Sequence, residues 1–343
     1  MLSWTYLCIA FKVASWNVAG LRAVLRKDPD SLANLCKKHD LDMLCLQETK
    51  LQETHLDDPK LLKLSSSQVV RDVLKEEGYD SFWSCSTAKK GYSGTAVFTK
   101  KYGGKKSKQK SISSFFQTKK TKKKDGSDDS TEKGDSTNND DTELPISSDM
   151  LKPEDVSYDI GQAIDGEGRV VMVDFPFASI ANVYVPNAGQ KLERLTYRTD
   201  EWDGHWLKFM QKRQEDRGKP VIWLGDLNIA HQAQDVWNDG AKHLDKQAGV
   251  TPQERASFQN QLDSGFVDAF RKLHPDSEAH YSYWSMRAGN REPNKGLRLD
   301  YFICSPDMFA EDSDVVVRDS YMLYDQYGSD HCPVVLELEI KKD

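Results

Sequence analysis

Five apolar runs in this chain carry the same signature at one end: within a residue or two they break into carboxylates, amides or a histidine. Phe11-Lys12-Val13-Ala14-Ser15-Trp16 gives way to Asn17, and Leu41 to Leu46 gives way to Gln47-Glu48-Thr49-Lys50. Ile180 to Val185 passes through Tyr184 into Pro186-Asn187-Ala188-Gly189, and Val221 to Leu224 ends in Gly225-Asp226-Leu227-Asn228. Gly328-Ser329-Asp330-His331-Cys332-Pro333 leads into the apolar Val334 to Ile340. Short apolar runs bounded by turn residues read as buried strands, and the i, i+2 spacing of Asp226 and Asn228 puts both side chains on one side of a strand exit. A further carboxylate, Asp300, stands in the run Leu297-Arg298-Leu299-Asp300-Tyr301-Phe302-Ile303. Any one of these ends reads equally well as a solvated strand exit. Together they require a fold that collects strand ends at one edge of a packed sheet.

Helical spacing separates the strands. It is seen over Ser31 to His39, over Gln68 to Glu77, and over Glu193 to Gln214, where Leu195, Trp202, Trp206 and Phe209 share an apolar side that reads as core. Alternating strands and helices predict an α/β architecture, and 343 residues suffice to bury a large core. The net charge of −7 shows no basic excess, but a metal-dependent nuclease needs carboxylates, and local patches matter more than the sum. Six cysteines without CxxC spacing predict reduced thiols in an intracellular protein. No run approaches the roughly 18 apolar residues of a membrane span. Met1 to Ala10 lacks the basic start and cleavage site of a signal peptide and reads as part of a first strand.

A pocket rich in carboxylates and amides suits metal-assisted hydrolysis of a phosphodiester, where developing charge must be stabilised and water activated. Glu48 at its strand exit is a candidate ligand for a hard cation such as Mg²⁺. Asp330 could hold a cation or steer an imidazole, and His331 titrates near neutrality. Tyr184 and Asn187 offer a hydroxyl and an amide to a phosphate oxygen, with a buried core tyrosine as the plainer reading of Tyr184. The turn Lys89-Lys90-Gly91-Tyr92 brings two lysines and a tyrosine to a possible phosphate contact.

Residues 101–152 interrupt this pattern, leaving 1–100 plus 153–343 as one catalytic domain. A lysine-rich block, Lys101 to Lys124, precedes an acidic block, Asp125 to Asp141, with few apolar residues. Such a segment cannot offset its ordering entropy and is expected to be disordered. Within it, Gln109-Lys110-Ser111-Ile112-Ser113-Ser114-Phe115-Phe116 would form one helical turn with Ile112, Phe115 and Phe116 on one face, as a binding peptide does. The spacing resembles the PIP box, by which repair and replication proteins dock through residues equivalent to Gln109, Ile112, Phe115 and Phe116 onto the sliding clamp PCNA. A nuclear-localisation or DNA-contacting basic run with incidental aromatics is the other reading. The lysine block favours the nucleus on composition.

Ser15-Trp16-Asn17-Val18, Leu46-Gln47-Glu48-Thr49-Lys50, Tyr184-Val185-Pro186-Asn187-Ala188-Gly189, Gly225-Asp226-Leu227-Asn228, Leu299-Asp300-Tyr301-Phe302 and Gly328 to Pro333 occur in this order. In sequence and order they resemble the exonuclease III family of apurinic/apyrimidinic endonucleases, from Phe11 to the end except for the insertion. The resemblance implies the endonuclease/exonuclease/phosphatase fold, a four-layer α/β sandwich with two central mixed sheets. It also implies Mg²⁺-dependent cleavage (Mn²⁺ as a substitute) of double-stranded DNA 5′ to an abasic site, by a monomer, with trimming of 3′ termini as a related activity.

By the same resemblance Glu48 holds the metal and Asp330 is a further ligand, within a metal neighbourhood of Asn17, Glu48, Asp226, Asn228, Asp330 and His331. Asp226, positioned by Asn228, would align or deprotonate water. His331, oriented by Asp300, would bond the scissile phosphate, as would Tyr184 and Asn187. Tyr283, Trp284, Leu297 and Leu299 would form the slot for the flipped abasic sugar, which is cheap to extrude because it lacks a base.

The sequence departs from the family in three places. Ala19 stands where many members carry Asp or Asn, removing an oxygen from the outer metal site. Leu297 replaces a Trp, and Gln190 replaces a DNA-contacting Arg, found in some members. The nearly immediate start of the catalytic pattern leads us to expect no N-terminal redox-regulatory extension. Phosphoinositide phosphatases and sphingomyelinases of the same fold share the Asp-His and Gly-Asp-Asn elements but not Leu299 to Phe302 or Tyr184 to Gly189. A relaxed DNase I-like nuclease would be expected to be secreted and disulfide-bonded. A catalytically idle scaffold would be expected to have lost Asp226 or His331.

Overall fold

Each apolar run becomes a strand, and in the computed structural model the strands assemble into two mixed six-stranded sheets. The structure describes residues 7–62, 68–102, 148–158, 160 and 166–342. The first half contributes β1 (Leu7–Asn17), α1 (Leu21–Lys27), α2 (Ser31–His39), β2 (Met43–Gln47), α3 (Glu53–Leu56), β3 (Tyr79–Ser84), β4 (Thr95–Lys100) and β5 (Asp155–Ser157). Then come β6 (Val170–Asp174), β7 (Ser179–Val183), α4 (Asp203–Arg217), β8 (Val221–Asp226), α5 (Pro252–Asp263), β9 (Val267–Asp268) and α6 (Ala269–Leu273). The chain closes with β10 (Asp300–Cys304), β11 (Val315–Met322) and β12 (Val334–Lys342).

The sheet orders are β11-β12-β1-β2-β4-β3 and β5-β6-β7-β8-β10-β9. In each, one parallel pair sits at the centre, β1 beside β2 and β7 beside β8, with antiparallel neighbours outside. A parallel pair exits at a common edge, so the residues after β1 and β2 emerge side by side, as do those after β7 and β8. The antiparallel strands β12 and β10 begin at that same edge, Val334 opposite Ser15 and Asp300 opposite Asp226. The topology thus gathers the polar ends that the sequence scatters.

Between the sheets Phe11, Phe175 and Phe177 pack ring to ring among Ile9, Val13, Cys45, Val173, Ile222 and Leu224. On one outer face Leu21, Val24, Leu32 and Leu35 of α1 and α2 cover Leu44 and Leu46. On the other, Trp202, Trp206 and Met210 pack with Phe258 of α5 over Val183 and Trp223. This is the helix–sheet–sheet–helix sandwich expected. Each fully buried side chain of this kind contributes about 1.5–3 kcal/mol. The helices stop where their chemistry says: α2 ends at Asp40 in the left-handed region, after Lys37, Lys38 and His39 at the negative end of its dipole. Likewise α5 starts from a Thr251–Glu254 capping box with Pro252 in its first turn.

Two expectations are corrected. Among the described part of Gln68 to Glu77 there is a 3₁₀ turn at Val70–Asp72 followed by turns, not a helix. Val69, Val70 and Val73 are poor helix formers, and Gly78, at φ 85, ends the segment. The insertion is also narrower than 101–152. Tyr102 donates its hydroxyl to Asp42, Leu151 is buried, and Tyr102 and Met150 both pack on the inter-sheet core.

The Gln109 to Phe116 peptide lies outside the described residues. All six cysteines are free, with Cys45 and Cys304 buried in β2 and β10. Among the described residues no helix is long and apolar enough to cross a membrane.

Candidate active site

At the shared edge Asn17 ends β1, buried, and reaches across to the second sheet. Its Nδ2 donates to Glu48 Oε1 at 3.0 Å and to Asp226 Oδ2 at 2.8 Å, while its Oδ1 accepts from the Ala19 amide at 2.9 Å. The side chain therefore braces two carboxylates with its donors and turns its oxygen away from them.

The chain leaves β2 through Glu48 (φ 51) and Lys50 (φ 55). Both are left-handed, a conformation costing roughly 1–3 kcal/mol per non-glycine residue. Backbone bonds from Thr49 to Gly94 (3.0 Å) and Lys50 to Ser93 (2.8 Å) hold it there. The turn brings Lys50 Nζ to 2.9 Å from Glu48 Oε2 and 3.2 Å from the carbonyl of Ala19. Burial opposes ionisation of Glu48, but the Lys50 ammonium and the Asn17 amide outweigh it and hold the carboxyl below its ordinary value. Lys50 was not singled out from the sequence; its place two residues after Glu48 is the signal that could have found it.

On the second sheet Gly225 has φ 139, and a Cβ there would lie 1.9 Å from the Val183 carbonyl oxygen. Only glycine lets β8 run this close to β7. Asp226 follows, buried, accepting from Asn17 and from the Asn228 amide at 2.8 Å. Opposite it, Asp300 Oδ2 accepts from His331 Nδ1 at 2.7 Å, and His331 Nε2 faces Asp226 Oδ2 at 3.9 Å. Asp300 Oδ1 is buried with no hydrogen-bond partner. Burial disfavours the imidazolium, but the Asp300 carboxylate, with Asp226 and Asp330 behind it, raises His331 well above its usual value. Burial likewise raises Asp226, against the opposing pull of His331.

Asn228, at φ 50, ties the loops after β7 and β8 together: its Nδ2 donates to the Val185 carbonyl and its Oδ1 accepts from Asn187 Nδ2. Its side-chain oxygen is directed at Asn187 rather than at the carboxylates, so it clamps the two loops together. Asn187 is exposed at the mouth. Tyr184 is buried; burial and then the charges of Glu48 and Asp226 push its phenol upward, and Arg169 lies over its ring at 4.8 Å.

Asp330 is half-buried, its carbonyl held by the Trp284 amide at 2.9 Å. Next to His331 lies a small apolar cluster of Ala230, Val236, Leu244, Val250, Leu297 and Leu299, with Tyr283 packed on it and its ring 5.0 Å from that of His331. Trp284 departs from the expected slot. It is buried in the inter-sheet core, its Nε1 donating to Asn294 Oδ1. Behind Leu297 and Leu299 the buried Arg298 pairs with Asp235 and Asp268.

Among the described residues no group of three or more His, Cys, Asp or Glu side chains forms a ready metal cage. Mg²⁺ is commonly held by one or two carboxylates, substrate phosphate and water. Glu48, with Asp330 on a loop at the same edge, is a donor set of that kind, and the Lys50 ammonium against Glu48 shows that the spot accepts positive charge. Buried carboxylates beside an imidazolium, amide donors and an apolar slot form a place where a phosphoester can be hydrolysed.

Comparison with known proteins agrees with this geometry. Residues 14–331 match the model of the endonuclease/exonuclease/phosphatase family. The chain is 36% identical over 330 residues to the exodeoxyribonuclease of Bacillus subtilis (strain 168), covering 96% of this chain and 100% of that protein. It is 32% identical over 331 residues to the DNA-(apurinic or apyrimidinic site) endonuclease of Dictyostelium discoideum, covering 96% and 71%. In structure it resembles an AP endonuclease from Leishmania major, with a TM-score of 0.71 at 27% identity, covering 97% of this chain and 88% of that one.

Proposed function

The chain belongs to the endonuclease/exonuclease/phosphatase family, and from that premise we propose that it is a DNA-repair nuclease of the exonuclease III type. It hydrolyses the phosphodiester 5′ to an abasic site in double-stranded DNA, leaving a 3′-hydroxyl and a 5′-deoxyribose phosphate, and trims 3′ termini as a second activity. The observation that carries this reading is the Asp226–His331 pair, 3.9 Å apart, with Asp300 behind the imidazole and Asn17 behind the carboxylate.

Asp226, poised by burial to accept a proton, takes one from the attacking water. The His331 imidazolium, kept charged by Asp300, donates from Nε2 to the phosphate oxygens as negative charge accumulates on them, a role in which preorganised donors are most effective. Tyr184 supplies a hydroxyl facing Glu48 and Asp226, and Asn187 an amide at the mouth. Glu48, with Asp330, would hold a divalent cation, Mg²⁺ with Mn²⁺ as substitute, which when bound supplies positive charge to the phosphate. Tyr283, Leu297 and Leu299 would receive the baseless sugar.

Gln109, Ile112, Phe115 and Phe116 are the proposed docking segment for the sliding clamp PCNA, and the lysine block a nuclear address.

The test is a labelled duplex with one tetrahydrofuran abasic analogue, which cannot undergo β-elimination, incubated with Mg²⁺, Mn²⁺ or EDTA beside an undamaged duplex. One metal-dependent cut 5′ to the analogue is expected. Laddering of both duplexes would replace this reading with a general nuclease.

A further inference from the structure

His331 and Asp330 sit on the stretch between β11 and β12, and the structure supplies an anchor for it that takes no direct part in the proposed chemistry. Arg291, half-buried in the loop between Trp284 and Gly296, donates from Nη2 to the carbonyls of Tyr324 (3.1 Å) and Gln326 (2.6 Å) and from Nη1 to that of Ser329 (3.3 Å). Its guanidinium lies over the Trp284 ring at 4.9 Å and the Tyr327 ring at 4.5 Å. Among the described residues no carboxylate lies within ion-pair distance of it. A planar fork lying against two rings and bonded to main-chain carbonyls fixes a loop shape, which a lysine's point charge cannot reproduce.

The anchoring continues into the site. The carbonyl of Ser329 is held by Arg291, that of Asp330 by the Trp284 amide at 2.9 Å, and that of His331 by Trp16 Nε1 at 3.1 Å. Ser329 also reaches the carbonyl of Asn17 at 2.6 Å, so the same residue touches the brace between Glu48 and Asp226. Two of these three holds come from buried tryptophans of the core. The third comes from a half-exposed residue on the loop that leads into Leu297 and Leu299.

We infer that Arg291 is a positioning residue: it locks the loop from Tyr324 to Ser329 to the segment bearing the apolar slot and so fixes Asp330 and His331 for reaction. The inference rests on the proposed roles of those two residues.

The test compares Arg291→Ala, Arg291→Lys and Tyr327→Ala, the last removing the largely exposed ring of the two. Three readouts are taken: single-turnover cutting of the tetrahydrofuran duplex, salt-dependent binding of that duplex in EDTA, and hydrogen exchange of residues 323–333. Arg291→Ala is expected to slow cutting on the order of 10²-fold, as a misplacement of about 1 Å does, with unchanged duplex affinity and faster exchange confined to 323–333. Arg291→Lys should follow the alanine variant. Tyr327→Ala should show a smaller loss.

If Arg291→Lys restores wild-type behaviour while Arg291→Ala weakens binding and lowers the salt slope by about 1, Arg291 is a phosphate contact and the inference fails. Unchanged exchange over 323–333 overturns it equally. If the wild-type protein does not cut the analogue, the functional proposal fails, and the exchange measurement alone decides whether Arg291 positions the loop.

Discussion

Replacing Asp300 by Asn keeps the shape of the group behind His331 and removes its charge. The 2.7 Å contact is buried on both sides, with side-chain exposures of 0% for Asp300 and 5% for His331, so solvent screens it little. With charge centres about 4 Å apart and an effective dielectric of about 20, the lost attraction is about 4 kcal/mol. At 1.36 kcal/mol per tenfold, that is about three decades in the acidity of the imidazolium, and it costs a step that needs the imidazolium that much only where pH exceeds the raised wild-type value.

The same energy should lower the imidazolium's pKa by about three pH units. The sign follows from the direction of the shift. Asp300 raises His331, so wild-type activity survives well above the ordinary histidine range and falls only when pH rises through the raised value. In Asp300→Asn that alkaline fall should move toward neutrality. The assay is a single-turnover pH–rate profile on the abasic-analogue duplex, with circular dichroism as the control for folding. An alkaline limb that stays where it was would refute the reasoning.

Other outcomes follow from the same geometry. Asp226→Asn should lower cutting by about 10²–10³-fold or more with duplex binding intact, read by single-turnover kinetics. Glu48→Gln, which removes the carboxylate paired with Lys50, should raise the Mg²⁺ concentration needed for half-maximal rate, measured by metal titration; an unchanged requirement would exclude Glu48 as a ligand. Arg298→Met leaves Asp235 and Asp268 without the guanidinium they share and should cost about 3–5 kcal/mol of stability in denaturant unfolding. Phe115→Ala with Phe116→Ala should abolish binding to PCNA and leave the cutting of short duplexes unchanged, as compared by calorimetry and gel assay.

What could be read from the sequence was the identity of the strand ends, because period-2 patterning and abrupt polar exits are local. Asn17, Glu48, Asp226, Asp300 and His331 all reach the shared edge by this route. What could not be read was direction. Asn17 binds carboxylates 31 and 209 residues away, and nothing local tells an amide to turn its nitrogen toward them. Asn228 has the i, i+2 spacing that puts its side chain on the same side as Asp226, but its backbone at φ 50 turns that side chain into the neighbouring loop. Trp284 shares a strand-like run with Tyr283, but alternation sends one to the core and the other to the slot. The helix expected over Gln68 to Glu77 does not form because Val69, Val70 and Val73 disfavour it. Arg291 gives no pattern at all, since its partners are main-chain carbonyls.

The narrowed insertion has a consequence of its own. Lys100 leaves β4 near the start of β2, since Thr99 pairs with Met43, and β5 enters near the start of β7, since Asp155 pairs with Asp174 and Asp174 with Ser179. Both roots therefore lie at the pole opposite the mouth formed by Asn17, Asp226 and His331. A partner that grips residues 103–147 would hold the enzyme through attachment points on the side away from its cutting face. Such a tether can raise the local concentration of nuclease on a duplex already held by that partner without competing for the strand being cut.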